Sequence, residues 1–437
     1  MKKRVSFSMV SLGCARTLVD SEHVVNDLRG VGFELVSEGS GERVVVLNTC
    51  SFIQSAIDET EDNIRDLINR KKRGFIQYIA VIGCYPSRLK PSQRSAQFPE
   101  VDIWLTTQEE SKLKSVLSEL VFKSRFQPSI PVKYTKLTPS HYSYLKISEG
   151  CDNWCSFCTI PKIRGSHRSF SIDTIKEEAK RQVSFGAREL MIVAEDTTAW
   201  GEDLFGEPSL PRLLDSLGDV EGLDWIRLMY VFPQRVDQTL IDAMNRNPRV
   251  IPYLDMPIQH SETRLLELMN RRISGDTLRQ LLDTLFESID GLVLRSSLIL
   301  GFPTETDLEW EALRQFLCTY EFAHIGCFAY SHERETKSAR LEPQIPPDII
   351  EARIQGIMDT QLSLVTKRNQ SLIGRQFEMV VDGDGVGRSY REAPDVDGNM
   401  IILNPDGLVT GTVIPVTVVG VDGWDLIVEA NTSQKNP

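Results

Sequence analysis

The residues of this sequence with the most chemistry to offer are three cysteines in one short loop. In the run Gly150-Cys151-Asp152-Asn153-Trp154-Cys155-Ser156-Phe157-Cys158, three residues and then two separate the thiols. A loop with that spacing can wrap three corners of an iron–sulfur cube, and thiolates are the ligands such a cube takes. Three ligands for four irons leave one iron open, which is what a metal centre needs to bind a substrate. The structural alternative is a zinc knuckle made from the same triplet with His167 or His141. Zinc sites usually pair CxxC or CxxH units, and no second pair occurs here.

Cys14, Cys50 and Cys84 form a second set, each more than thirty residues from the next. Each closes an apolar, strand-like run: 5–14, 43–50 and 78–84. Taken singly, each reads as a buried core thiol. Taken together, they sit at the carboxyl ends of successive strands, where an open parallel sheet forms its ligand crevice. The pattern therefore predicts a second three-thiol cluster site. Cys318, within a helical pattern, and Cys327, within a strand pattern, read as core thiols.

The elements that must position these groups fall into three blocks. Residues 1–123 alternate strand and helix patterns and predict an open parallel α/β domain. Residues 124–139, with Pro128, Pro131 and Pro139, read as a linker. Residues 140–345 hold six strand candidates (142–148, 189–195, 225–231, 253–259, 292–300 and 324–331) separated by helical patterns, which predicts a partial (β/α)6 barrel. Such barrels carry their chemistry on the loops after the strands, and the Cys151 loop follows the first strand. A connecting helix over 346–373 leads to 374–437, where short apolar runs and glycine turns predict a small antiparallel β-barrel. The fold class is thus multidomain α/β.

Composition narrows the partners. The chain has 437 residues with a formal charge of −12, so its surface as a whole is not built to embrace a polyanion. No apolar run reaches membrane-spanning length. Lys2, Lys3 and Arg4 before the run that ends at Cys14 resemble a lipoprotein leader, but that run is brief and broken by serines. A cytoplasmic chain with eight cysteines in a reducing compartment uses them as ligands or core thiols rather than as disulfides.

CxxxCxxC after the first strand of a partial barrel resembles the signature of radical S-adenosylmethionine enzymes. The resemblance implies that Cys151, Cys155 and Cys158 hold a [4Fe-4S] cluster whose open iron chelates S-adenosylmethionine, that an external donor supplies an electron, and that Phe157 packs near the adenine. Glu195 and Asp196 end the second strand and so point to the active face as candidates to bind the ribose, and the resemblance also implies cofactor contacts at Gly301, Pro303 and Glu305. The plainer readings are a helix cap for the first pair and an ordinary strand-to-helix turn for the second group. Gln259 and His260 end the fourth strand, where His260 serves either the site or the fold.

Over its whole length the chain is similar to the methylthiotransferases, which implies a terminal barrel of the TRAM type and two [4Fe-4S] clusters. In that family the cluster on the Cys14, Cys50 and Cys84 set would handle sulfur from an external source. Ser11-Leu12-Gly13-Cys14 followed by Leu18-Val19-Asp20-Ser21-Glu22 resembles the branch that modifies the β-carbon of an aspartate in a small-subunit ribosomal protein, the one numbered twelve. Further matches are KISEGCDNWCSFCTIP (146–161), EDTTAWG (195–201), YLDMPIQH (253–260), FAYSHE (328–333) and RSYREAPDVDG (388–398). The branch that methylthiolates an adenosine in transfer RNA carries Gln-Met-Asn after the first cysteine, which is absent here. Arg16-Thr17, Thr304 and the ERET run at 333–336 depart from the common Lys-Asn, glycine and EEGT. From residue 375 onward, four basic residues stand against ten acidic ones. That balance suits a basic protein partner better than nucleic acid, although an acidic surface also serves solubility alone.

Overall fold

Uninterrupted β-branched runs become strands buried on both faces, and this decides the first block. In the computed structural model, which describes residues 5–123 and 132–431, Val44 to Leu47 are wholly buried. The Lys2-Lys3-Arg4 run and linker residues 124–131 lie outside the described residues. Strands β1 (Val5–Ser11), β2 (Phe33–Leu35), β3 (Val44–Thr49), β4 (Tyr78–Gly83) and β5 (Ile103–Thr106) form one parallel sheet in the order β2-β1-β3-β4-β5. Helix α1 (Ala15–Gly30) covers one face through Val24, Val25 and Leu28. Helix α2 (Gln54–Lys72) covers the other through Ile64, Leu67 and Ile68. Arg70, Lys71 and Lys72 in its last turn complement the helix dipole. The order of strands reverses between β1 and β3, and ligands bind open sheets at such a switch point. The first strand is shorter than its apolar run, ending at Ser11 rather than at Cys14. The sequence reading missed β2 and β5 because edge strands of three and four residues carry too little pattern.

The central block is a six-stranded parallel sheet in the order β13-β12-β11-β10-β9-β6. Its strands are β6 (Tyr142–Lys146), β9 (Glu189–Val193), β10 (Trp225–Leu228), β11 (Val250–Asp255), β12 (Val293–Leu300) and β13 (Phe322–Ala329). Between β6 and β9, the two-residue strands β7 (Ser148–Glu149) and β8 (Arg168–Ser169) pair antiparallel and draw the neck of the Cys151 loop together. Alternation divides the residues: Leu190 and Ile192 face the outer helices, while Met191 and Val193 face the lumen with Tyr142, Met229 and Tyr253. The reading of Cys318 as a core thiol is corrected, because it is exposed on the solvent side of its helix. Cys327 is partly buried against the outer core.

The long helix Pro347–Gln370 leads to a closed barrel ordered β14-β15-β16-β18-β17. Its strands are β14 (Gln376–Gly383), β15 (Val386–Arg388), β16 (Met400–Ile402), β17 (Val413–Asp422) and β18 (Asp425–Ala430). All pairs are antiparallel except β16 with β18, which is parallel. The loop between β15 and β16 leaves this barrel and plugs the central lumen at the starts of its strands. Asp397 accepts hydrogen bonds from Tyr253 Oη at 2.6 Å, from its own loop's Ala393 N–H at 2.8 Å and from Arg295 Nε at 3.2 Å. Asp395 accepts from Tyr142 and Tyr144, each at 3.2 Å. Arg388 pairs with the buried Glu189, which also takes Arg227 Nε at 2.7 Å. RSYREAPDVDG is therefore an internal clamp, and several of the acids counted in the terminal block are not free surface charge.

Breaking such a buried pair costs about 3–5 kcal/mol because one charge is left uncompensated. Asp397→Ala is expected to lower the melting temperature and to open the 389–399 loop to limited proteolysis. Asp397→Asn, which keeps an acceptor, is expected to do less of both.

Candidate functional site

Two tight turns place the thiols. At Gly83 the backbone turns from β4 directly into the helix that begins at Cys84, with φ +97°. A Cβ there would lie 2.3 Å from Asn48 Oδ1 and 2.9 Å from the Thr49 carbonyl, so only glycine fits. Gly150, φ +74°, crosses the neck of the second loop, where a Cβ would meet the Ser166 carbonyl at 2.2 Å. Cys14 occupies the N-cap position of α1, and Cys50 directly follows β3. These two thiols flank the switch point of the N-terminal sheet, and Cys84 follows the next strand.

One cavity of about 580 Å³ is lined by all six: Cys14, Cys50, Cys84, Cys151, Cys155 and Cys158. Arg16 stands in its wall, donating Nη1 to the Ala194 carbonyl at 2.9 Å and lying 4.7 Å from the centroid of the Tyr230 ring. Glu195 is buried, 3.7 Å from Arg16 Nε and 3.5 Å from Arg164 Nε. Both its oxygens lack a hydrogen-bond partner among the described residues. Arg164 reaches Glu149 at 2.6 Å and Asp20 at 3.2 Å, and Asp20 pairs with Lys146 at 2.6 Å. This chain of charges joins α1 to β6, β7 and the end of β9. A larger groove of about 940 Å³, rich in charged residues, lies on the other side of Arg164 and holds none of the cysteines.

Electrostatics separate the thiols. Burial pushes Cys14 up, but the guanidinium groups of Arg16 and Arg164 and a backbone hydrogen bond at Thr17 outweigh it, and the thiol titrates at about 7. Burial prevails at Cys84 and Cys151, pushing both up to about 12, and it also raises Cys50 and Cys158. Burial likewise raises the Glu195 carboxyl, against the pull of Arg16 and Arg164.

The Cys151 loop rests on residues the sequence reading did not single out. Asn153 donates to Cys151 Sγ at 3.4 Å and to Asp196 at 2.7 Å, and Arg235 donates to Asn153 Oδ1 at 2.7 Å. Arg271 lies 3.8 Å from Cys155 Sγ and packs on the Phe232 ring at 4.1 Å. Asn153 lies inside a quoted motif and was within reach. Arg235 and Arg271 lie in no motif, so no local signal marks them.

The expected cofactor contacts divide. Phe157, Glu195 and Gln259 line the cysteine cavity. Asp196 caps the short turn at Thr197–Ala199 and accepts from Arg235 at 2.8 Å, which is the plainer of its two readings. Gly301 and Glu305 stand outside the cavity lining: the Glu305 carboxylate takes the Gly301 N–H and pairs with Arg353 at 3.0 Å. Pro303 follows in the same turn, also outside that lining. His260 is wholly buried, accepts the Glu262 N–H at 3.1 Å and lies 3.4 Å from Glu305, a structural role. Thr304 has φ +72°, which accounts for the glycine common at that position. Arg264 holds Thr304 there through its hydroxyl at 2.9 Å and its carbonyl at 2.8 Å. Glu333 of the ERET run pairs with Arg88 and accepts the Gln54 N–H at 2.9 Å, tying the central block to the N-terminal one.

The donor set fits iron–sulfur clusters better than zinc. His141 bonds Asp382 at 2.6 Å, and His167 Nε2 lies 3.1 Å from Ser169 Oγ, so both candidate histidines are engaged away from the thiols. Among the described residues no three His, Cys, Asp or Glu side chains converge tightly enough to hold a single metal ion. A four-iron cluster instead takes each thiolate on a different iron, which suits three thiols spread around an open volume.

Comparison with known proteins agrees with this geometry. Residues 6–106 match the model of an uncharacterized protein family, UPF0004; residues 145–317 match the Radical SAM superfamily; residues 373–430 match the TRAM domain. The ribosomal protein uS12 methylthiotransferase RimO of Acetivibrio thermocellus is 36% identical, with 100% of each chain covered. The RimO of Myxococcus xanthus is 38% identical over 97% of this chain and 91% of its own. The chain belongs to the uS12 methylthiotransferase family. It is a radical S-adenosylmethionine enzyme, and that membership brings a [4Fe-4S] cluster and S-adenosylmethionine. A structure of the radical S-adenosylmethionine methyltransferase TsrM from Kitasatospora setae shares the fold: its TM-score is 0.56 at 11% identity, covering 94% of this chain and 80% of that one. In this member of the uS12 methylthiotransferase family, Arg16 lines the cavity that both cysteine sets share.

In cluster-free protein, Cys14 is expected to alkylate ahead of Cys50, Cys84, Cys151 and Cys158, with a rate that rises through pH 7 as its thiolate forms. Arg16→Met removes a cation that favours the thiolate. Alkylation at pH 7 is expected to slow by roughly tenfold for each pKa unit restored, as read by peptide mass spectrometry.

Proposed function

We propose that this chain adds a methylthio group to the β-carbon of an aspartate in ribosomal protein uS12, using two [4Fe-4S] clusters in one cavity. Cys151, Cys155 and Cys158 hold one, and Cys14, Cys50 and Cys84 hold the other. The observation that carries this reading is the single cavity lined by all six thiols. When bound, the first cluster with S-adenosylmethionine would supply the radical that takes a hydrogen from an unactivated carbon, the second would supply the sulfur, and a second S-adenosylmethionine would supply the methyl group. An external donor provides electrons, an external source provides sulfur, and the reaction takes place in the cytoplasm. No helix among the described residues is long and apolar enough to cross a membrane.

The chain's own residues have defined parts. Asn153 and Arg271 fix the Cys151 loop through their contacts with two of its sulfurs. Phe157 offers an aromatic face in the cavity wall for the adenine. Glu195, buried with neither oxygen hydrogen-bonded, would receive a donor group of the cofactor, and Arg16 and Arg164 balance its charge. Arg16 and Arg164 also offset the negative charge of the thiolates at Cys14 and Cys84.

Transfer-RNA methylthiolation is the competing reading within the same chemistry, and a non-catalytic zinc-stabilised binding protein is the competing reading outside it. Mass spectrometry of uS12 and of bulk transfer RNA from a strain lacking the gene separates the first: the modification should vanish from the protein alone, and loss from RNA alone sinks the proposal. Iron and sulfide analysis separates the second. After anaerobic reconstitution the wild type should hold about eight irons, and a Cys151/Cys155/Cys158 triple-alanine variant about four. Zinc without sulfide would leave a binding protein.

A further inference from the structure

Large aromatic side chains normally scatter singly on a surface, so several gathered at one opening call for an explanation. Phe52, Trp154 and Phe328 are 36%, 48% and 53% exposed, and all three line the cysteine cavity. They come from three separate elements: the turn after β3, the Cys151 loop and the end of β13. Trp154 is also held with φ +50°, a conformation side chains rarely adopt, by Asn270 donating to its carbonyl at 2.9 Å. The backbone that carries the ring is thus fixed at the rim, while about half of the residue faces solvent.

The rim continues into charge. Ile53 and Ala56 line the same cavity, and on α2 the exposed Glu59 lies one helical step (i+3) beyond Ala56 on that face, with the exposed Asp58 flanking it. No ion pair engages either one among the described residues, and Asp58 only accepts from Gln54 at 2.8 Å. The terminal barrel also keeps exposed carboxylates, Asp406 and Asp422 among them, but it sits at the strand starts, away from the cavity mouth. Asp382, Glu392, Asp395 and Asp397 bond within the protein, and the loop that carries the last three plugs the lumen at the end opposite the cysteines.

We propose that the basic protein substrate docks at the cavity mouth, on the aromatic rim of Phe52, Trp154 and Phe328 and the carboxylates Asp58 and Glu59, and not on the acidic terminal barrel. The assignment rests on the reading of a ribosomal-protein substrate above and names the surface that recognises it. The occupant is a loop of that protein carrying the target aspartate, with apolar side chains for the rim and flanking lysines or arginines for α2. Aromatic anchors in a desolvated rim hold the complex, while exposed carboxylates speed encounter and sort partners by charge.

The test is anaerobic binding of purified uS12 to the reconstituted holoenzyme by biolayer interferometry, together with KM and kcat for methylthiolation. A Phe52→Ser/Phe328→Ser variant should weaken binding roughly tenfold to a hundredfold, raising KM more than it lowers kcat. Asp58→Lys/Glu59→Lys lies wholly on the surface and does not threaten folding; it should slow association by several-fold at low salt and lose its effect at high salt. The matched reversal on the terminal barrel, Asp406→Lys/Asp422→Lys, should leave affinity within about twofold. Unchanged affinity in both rim variants, or a loss confined to the barrel reversal, overturns the docking surface while the reaction stands. If the wild type neither binds nor modifies uS12, the substrate reading falls and takes the docking surface with it.

Discussion

Asp20, Lys146, Glu149, Arg164, Glu195 and Arg16 form a chain of charges with little access to water where the N-terminal sheet meets the central barrel. Taking each ion out of water costs several kcal/mol, and only close, well-directed pairing offsets that. Such a network has little tolerance for sliding, because a shift of a few ångströms leaves a bare charge in a dry place. Cys14 caps the helix that carries Asp20, and Cys151 follows the short strand that carries Glu149. Fixing the charges therefore fixes the two cysteine sets against each other. Arg16 and Arg164 serve a second purpose as the cations that favour the Cys14 and Cys84 thiolates, so the same contacts supply registration and charge balance.

Most of the architecture was legible because its signals are local and periodic. Uninterrupted apolar runs marked the buried strands of both parallel sheets, and glycine turns marked the terminal barrel. The cysteine sets were legible for different reasons: the 151–158 loop by its spacing, the other three by their place after successive strands. What escaped depended on three dimensions. Edge strands such as Phe33–Leu35 are too short for a pattern, and Arg235 and Arg271 act on the cysteine loop from more than eighty residues away. Cys318 misled because helical periodicity does not by itself say which face is turned inward. The acidity of the terminal block was counted correctly, but a charge total cannot show that Asp382, Glu392, Asp395 and Asp397 fold back into the molecule while others stay exposed.

The lumen of the central barrel is filled from both ends by other blocks. Ala15, at the start of α1, and Ala393, in the loop after β15, belong to one apolar cluster with Tyr142, Met229 and Tyr253. Between them run strands whose inward residues change from the charged pairs of Glu189, Arg227 and Arg295 at one end to the sulfur-lined cavity at the other. A partial barrel cannot close its own hydrogen-bonded ring, since its outer strands β6 and β13 do not pair. Its neighbours supply the side chains that a complete barrel would draw from itself.

That arrangement bears on how such enzymes can be recombined. The terminal barrel looks detachable, a compact closed unit at the end of a long helix. Yet its 389–399 loop supplies the acceptors for Tyr253 and Arg295 and covers Arg227 with the Tyr390 carbonyl at 2.8 Å. A graft that brought in a foreign terminal barrel would leave those lumen groups facing a loop not shaped for them. The unit of inheritance is accordingly the barrel together with the lumen it stoppers, and a lineage changing its terminal barrel must rewrite both surfaces at once.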